Sequence, residues 1–133
     1  MHHEQLTENL TVRQRDDEGY RKWYLNSYFD LIVWYSSKGG ALIGFQICYS
    51  RNFQEKAFTW TPQYRSNRLV SDTYFEKGVS HMSSGILEGE GGLIPENVIQ
   101  KFVFESNNLE VEEKKLVVDK MTDYNAALLL RKS

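Results

Sequence analysis

Between residues 20 and 70 hydrophobic and polar side chains tend to alternate, whereas beyond residue 95 apolar positions recur every three to four residues. The first pattern is the period of half-buried strands and the second that of amphipathic helices. Tyr20–Leu25 reads as a short strand, followed by a turn at Asn26-Ser27 and a strong strand over Tyr28–Tyr35. Ser36-Ser37-Lys38-Gly39-Gly40 supplies glycines able to take positive φ, so it reads as a hairpin loop. Ala41–Ser50 is the returning strand, Arg51–Glu55 a loop, and Lys56–Thr61 the next strand, stopped by Pro62. Tyr64–Ser71 adds a further strand. Pro95 suits the first turn of a helix in which Val98, Ile99, Phe102 and Val103 share a stripe. Asn107 or Asn108 is placed to cap a second helix, with Glu110, Glu112 and Glu113 at its positive end and Val117, Met121, Tyr124 and Leu128, supported by Leu116, along its apolar face. The expected architecture is α+β: one domain over residues 1–133, an antiparallel meander of four to five strands with two C-terminal helices (residues 95–131) packed on one face. Residues 1–15 lack a period and are expected to be loosely docked. Residues 76–93 hold five of the nine glycines and read as a protease-sensitive connection.

Strand parity divides the sheet into two faces. Pairing Tyr35 with Ala41 sets Val33 against Ile43, Leu31 against Phe45 and Phe29 against Ile47, which makes an apolar face for the helices. Phe58 and Trp60 join that face. The opposite face receives Asp30, Ile32 and Trp34, then Leu42, Gln46 and Cys48, then Thr59. This parity sets Asp30 against Gln46. Ile32, Trp34 and Leu42 are more apolar than a solvated sheet face requires, so the face is expected to meet a partner or to be covered by the N-terminal segment or the glycine-rich connection.

Composition removes several classes. The net charge is −2 and the pI near 5.9, unlike the basic balance of a dedicated nucleic-acid binder. The longest apolar runs, Leu31–Tyr35 and Ala126–Leu130, fall far short of the ~20 residues a membrane helix needs. No basic segment followed by an apolar one opens the chain, and Cys48 is the only cysteine, so a reducing cytoplasm is expected.

Candidate chemistry is sparse. Aspartate is depleted in strand interiors, which singles out Asp30 as an acid–base candidate, with Cys48 or His81 as helpers in a small hydrolase-like enzyme. Cys48 lacks a nucleophile signature and reads as a small buried residue. His2-His3-Glu4 lacks the paired spacing of zinc ligands, so no metal or cofactor is expected. Gly89-Glu90-Gly91-Gly92 has neither the lysine nor the order of a phosphate loop. Trp60 and Tyr64 beside Arg65 and Arg68 offer a weaker reading, stacking on single-stranded nucleic acid.

Three runs carry a resemblance: Tyr28-Phe29-Asp30-Leu31-Ile32-Val33-Trp34, Gly44-Phe45-Gln46-Ile47-Cys48-Tyr49 and Ala57-Phe58-Thr59-Trp60. Together they resemble a family of small uncharacterised bacterial proteins with F-D-L-x-V-W, G-F-Q-x-C-Y and A-x-T-W motifs. Members often carry S-H-H-R-V after the T-W, where this chain has Arg65-Ser66-Asn67-Arg68-Leu69-Val70 and neither histidine. The resemblance implies one cytosolic domain and no reaction. The leading functional expectation is a non-enzymatic domain that binds a partner protein, a second copy or a small ligand through Asp30, Ile32, Trp34, Leu42, Gln46, Cys48 and Thr59.

Overall fold

The computed structural model describes residues 3–14, 19–50, 55–62, 64–70, 87–90 and 92–132. Seven antiparallel strands follow one another in chain order: β1 (Thr7–Glu8), β2 (Tyr20–Leu25), β3 (Asp30–Tyr35), β4 (Leu42–Tyr49), β5 (Lys56–Thr61), β6 (Tyr64–Val70) and β7 (Leu87–Glu90). Helices α1 (Glu96–Glu105) and α2 (Val111–Lys132) come after them. The expected α+β meander is present as β2–β6, widened by the short strands β1 and β7. Most of the glycine-rich connection, including His81, lies outside the described residues.

Local chemistry sets the strand limits. The Asn26 side-chain oxygen accepts from the backbone N–H of Tyr28 (2.9 Å) and of Phe29 (2.7 Å), and the Asn26 N–H donates to Phe29 O. This Asx-type turn keeps Tyr28 and Phe29 out of the ladder, so β3 starts at Asp30. Between β3 and β4, Gly39 takes φ +79°, a left-handed conformation that glycine adopts without steric cost. The loop closes with Ser36 N–H donating to Ala41 O at 2.8 Å.

The β3–β4 register differs from the expected one by two residues, with Leu31 opposite Ile47 and Val33 opposite Phe45. A shift of two preserves parity, so Leu31, Val33, Phe45 and Ile47 still reach the helix face, whereas Ile43, expected with them, is not packed in the core. Parity then breaks at one point. Trp34 pairs with Gly44 but Tyr35 with Leu42, so Ile43 is an extra residue in a β-bulge. The bulge turns Leu42 to the helix face, where it packs against the core beside Tyr35. Leu42 therefore leaves the expected binding surface.

The core is one cluster between sheet and helices, joining Leu31, Val33, Phe45, Ile47 and Phe58 to Val98, Ile99, Phe102, Val117, Met121 and Tyr124. Phe29 meets Phe102 edge-on at 5.6 Å, and Phe58 meets Tyr124 at 5.0 Å. Phe102 and Met121 are fully buried. Phe102→Ala and Met121→Ala should each cost about 2–5 kcal/mol in chemical denaturation, the range for truncating large core side chains.

The segment expected to be loosely docked is tied in. Leu6 is fully buried, and its N–H donates to Glu105 O at 2.8 Å. The Gln14 side chain pairs with both the N–H and the C=O of Arg21 (3.0 and 2.7 Å), so a side-chain amide completes the outer edge of β2 that β1 is too short to cover. The α2 cap also differs from expectation. Glu110 precedes the helix, and the Glu113 carboxylate accepts from the Glu110 N–H at 3.0 Å, the reach-back half of a capping box. Asn108 instead donates to Leu6 O, and Asn107 accepts from Lys114.

Candidate functional site

On the sheet face away from the helices, register brings most of the expected residues together. Leu25, Asp30, Cys48 and Ala57 form one cross-strand row, and Trp23, Ile32, Gln46 and Thr59 form the next. Arg21, Trp34 and Gly44 make a third. Asp30 thus lies opposite Cys48, and the Gln46 expected beside it lies opposite Ile32. That correction follows from the two-residue register difference.

Several polar groups in these rows bond to one another. The Trp23 indole N–H donates to Asp30 Oδ1 at 2.6 Å. The Thr59 hydroxyl donates to Gln46 Oε1 at 3.0 Å, and Gln46 Nε2 lies 3.8 Å from Cys48 Sγ. Thr59, Cys48 and Gln46 are 2, 3 and 8% exposed, a satisfied polar ladder inside a covered part of the face. Cys48 is a buried thiol, the setting of an inert rather than a reactive cysteine. Asp30 serves as the acceptor that fixes the Trp23 ring.

Trp34 is 3% exposed, far less than an open surface would leave it. Gly44 explains part of this. A Cβ built there would sit 3.3 Å from the Trp34 ring, 3.1 Å from the Thr61 methyl and 2.7 Å from the Trp60 carbonyl oxygen. The missing side chain lets the indole lie over the neighbouring strand. Accessible surface survives at the β2–β3 side, where Trp23, Asp30, Ile32 and Leu25 are half-buried. Trp60 belongs to the other face, where the Lys120 ammonium lies 4.7 Å from its ring centre, so it cannot join an aromatic platform here.

The helix side holds a cluster that the sequence pattern missed. Glu113 is fully buried at the first turn of α2. Tyr24 donates to Glu113 Oε1 at 2.7 Å, Tyr35 donates to Oε2, and Lys22 Nζ lies 3.6 Å from Oε2. Its position, four residues before Val117 on the buried stripe, was the available signal. Burial, hydrogen bonding to Glu113 and its negative charge all push the Tyr24 and Tyr35 phenols above their ordinary range near 10. A raised folded-state value favours the neutral phenol in the native protein. The stabilisation is therefore complete below the unfolded value near pH 10 and is lost as pH rises through the folded-state values. Alkaline titration should show these two of the eight tyrosines ionising only with unfolding, followed by phenolate absorbance together with circular dichroism.

Among the described residues no group of three or more His, Cys, Asp and Glu is placed to hold a metal ion, and no helix is long and apolar enough to cross a membrane. Comparison with protein-family models, curated proteins and solved structures gives no match.

Proposed function

We propose that this chain is a non-enzymatic interaction domain, cytoplasmic in setting, whose contact surface is the β2–β3 part of the sheet face opposite the helices. The reading rests on the Trp23–Ile32 cross-strand pair. Two large apolar side chains stand partly exposed side by side, and the Asp30 carboxylate holds the indole in place. An oriented, half-exposed tryptophan beside an aliphatic neighbour and a charged rim is the composition of interface hot spots. The simplest occupant is a second copy, because one self-complementary patch then suffices.

The surface is narrower than the sequence suggested. Trp23, Leu25, Asp30 and Ile32 carry it, Trp34, Gln46, Cys48 and Thr59 flank it as the buried part of the same face, and Leu42 drops out. A photoreactive residue at position 32 should yield a covalent dimer crosslinked to residues 20–35 of the second chain. Monomer alone, at the highest soluble concentration, would reject self-association through this face. Ile32→Glu should leave the circular dichroism spectrum unchanged and weaken association through the face by about tenfold or more, the equivalent of at least ~1.4 kcal/mol.

A hydrolase built on Asp30 and Cys48 has less support. The carboxylate already accepts the Trp23 N–H and the thiol is buried against Gln46. Loss of an observed activity in Asp30→Asn, with the fold intact, would favour that alternative.

A further inference from the structure

Residues 3–9 run as an extended strap along the edge of β2 and over the end of α1. Thr7 pairs with Leu25 and Glu8 with Tyr24, and the Asn9 N–H donates to Trp23 O at 2.7 Å. The two residues ahead of β1 bind the end of α1. Leu6 donates its N–H to Glu105 O (2.8 Å), accepts from Asn108 Nδ2 (3.0 Å) and is fully buried. Gln5 donates from Nε2 to Phe104 O (2.7 Å), and its Oε1 accepts the Asn107 N–H (3.1 Å). Phe104 O and Glu105 O are among the last carbonyls of α1, which a helix leaves without internal partners. The strap thus caps α1 from outside it, and the slot recognises a Gln-Leu step by four hydrogen bonds and one buried side chain.

None of these contacts requires that strap and slot belong to the same chain. Among the described residues two ladder pairs join β1 to β2, so release of the strap leaves the ladders of the larger sheet intact. We propose that the slot formed by the β2 edge, the end of α1 and the Asn107–Asn108 amides also accepts the strap of a second copy, giving dimers that exchange residues 3–9. Exchange restores every strap contact between chains instead of within one, so the dimer gains population as concentration rises. The mode is strand addition to a sheet edge, with specificity set by one apolar anchor.

The test mixes light and isotopically heavy full-length chains at high concentration and weighs the products by native mass spectrometry. The expected result is a mixed dimer that an excess of synthetic peptide spanning residues 3–9 converts to peptide-bound monomer, while the same peptide carrying Leu6→Asp leaves it intact. Gln5→Ala in the full chain retains the buried Leu6 anchor and removes two hydrogen bonds, so the peptide should displace its strap several-fold more readily. Ile32→Glu should leave strap exchange unchanged, which separates this dimer from association through the sheet face. A dimer untouched by the peptide, a dimer that Ile32→Glu dissolves, or a monomer that binds no peptide would each overturn the proposal.

Discussion

Replacing Glu113 by alanine is expected to destabilise the fold by about 3–5 kcal/mol, the penalty for removing one partner of a buried charged network. The carboxylate is fully buried and meets groups from three elements: the Tyr24 hydroxyl and Lys22 ammonium on β2, the Tyr35 hydroxyl on β3, and the Glu110 N–H at the start of α2. Alanine leaves two phenols and an ammonium facing a cavity and removes the helix cap as well. Glu113→Gln keeps an acceptor and the volume, so it should lose clearly less. Urea denaturation of both variants checks the order. If alanine and glutamine were equally mild, within about 0.5 kcal/mol of wild type, the cluster would not be holding α2 to the sheet. In Glu113→Gln the two phenols should also ionise at lower pH within the folded protein, because the negative charge that disfavours the phenolates is gone.

Trp34→Glu is expected to abolish folding. On sequence alone this position belongs to an exposed patch, where a charge would simply disrupt association. The structure leaves the side chain 3% exposed over Gly44, so glutamate would lose the buried indole and bring an unpaired carboxylate into a covered site. Truncating a buried tryptophan alone costs about 3–5 kcal/mol, and burying an unpaired charge adds several more. Together these are comparable with the whole ~5–15 kcal/mol net stability of a typical domain. A folded Trp34→Glu protein, with native circular dichroism and a cooperative transition, would show that the face is open at Trp34 after all. Ile32→Glu, one row away and half-exposed, should fold normally. The contrast between the two variants locates the boundary between support and contact surface.

The register of β3 on β4 shows how far pattern reading extends. Alternation is a local property, so Leu31, Val33, Phe45, Ile47 and Phe58 could be assigned to one face without knowing which residue opposes which. Even a pairing wrong by two residues kept them together, since side chains repeat with period two. The helices were legible for the same reason. Val98, Ile99, Phe102, Val117, Met121 and Tyr124 mark their buried stripes by spacing alone, and all are buried.

What the pattern could not contain was decided by groups distant in the chain. Leu42 changes face because Ile43 is an extra residue against β3, a bulge set by pairing geometry rather than by either strand's composition. Asn107 and Asn108 read as helix caps, yet the strap and Lys114 claim their side chains, and Glu113 caps the helix instead. Glu113 itself reads as a solvent-facing complement to the helix dipole; only the arrival of Tyr24, Tyr35 and Lys22 makes a buried carboxylate tolerable there. The sequence by itself determined strands β2–β6, the two helices and most of the apolar side of each, because those follow from short-range periodicity. The tertiary structure decided which polar residues are buried and which apolar ones stay accessible, because burial depends on partners that sequence spacing does not encode.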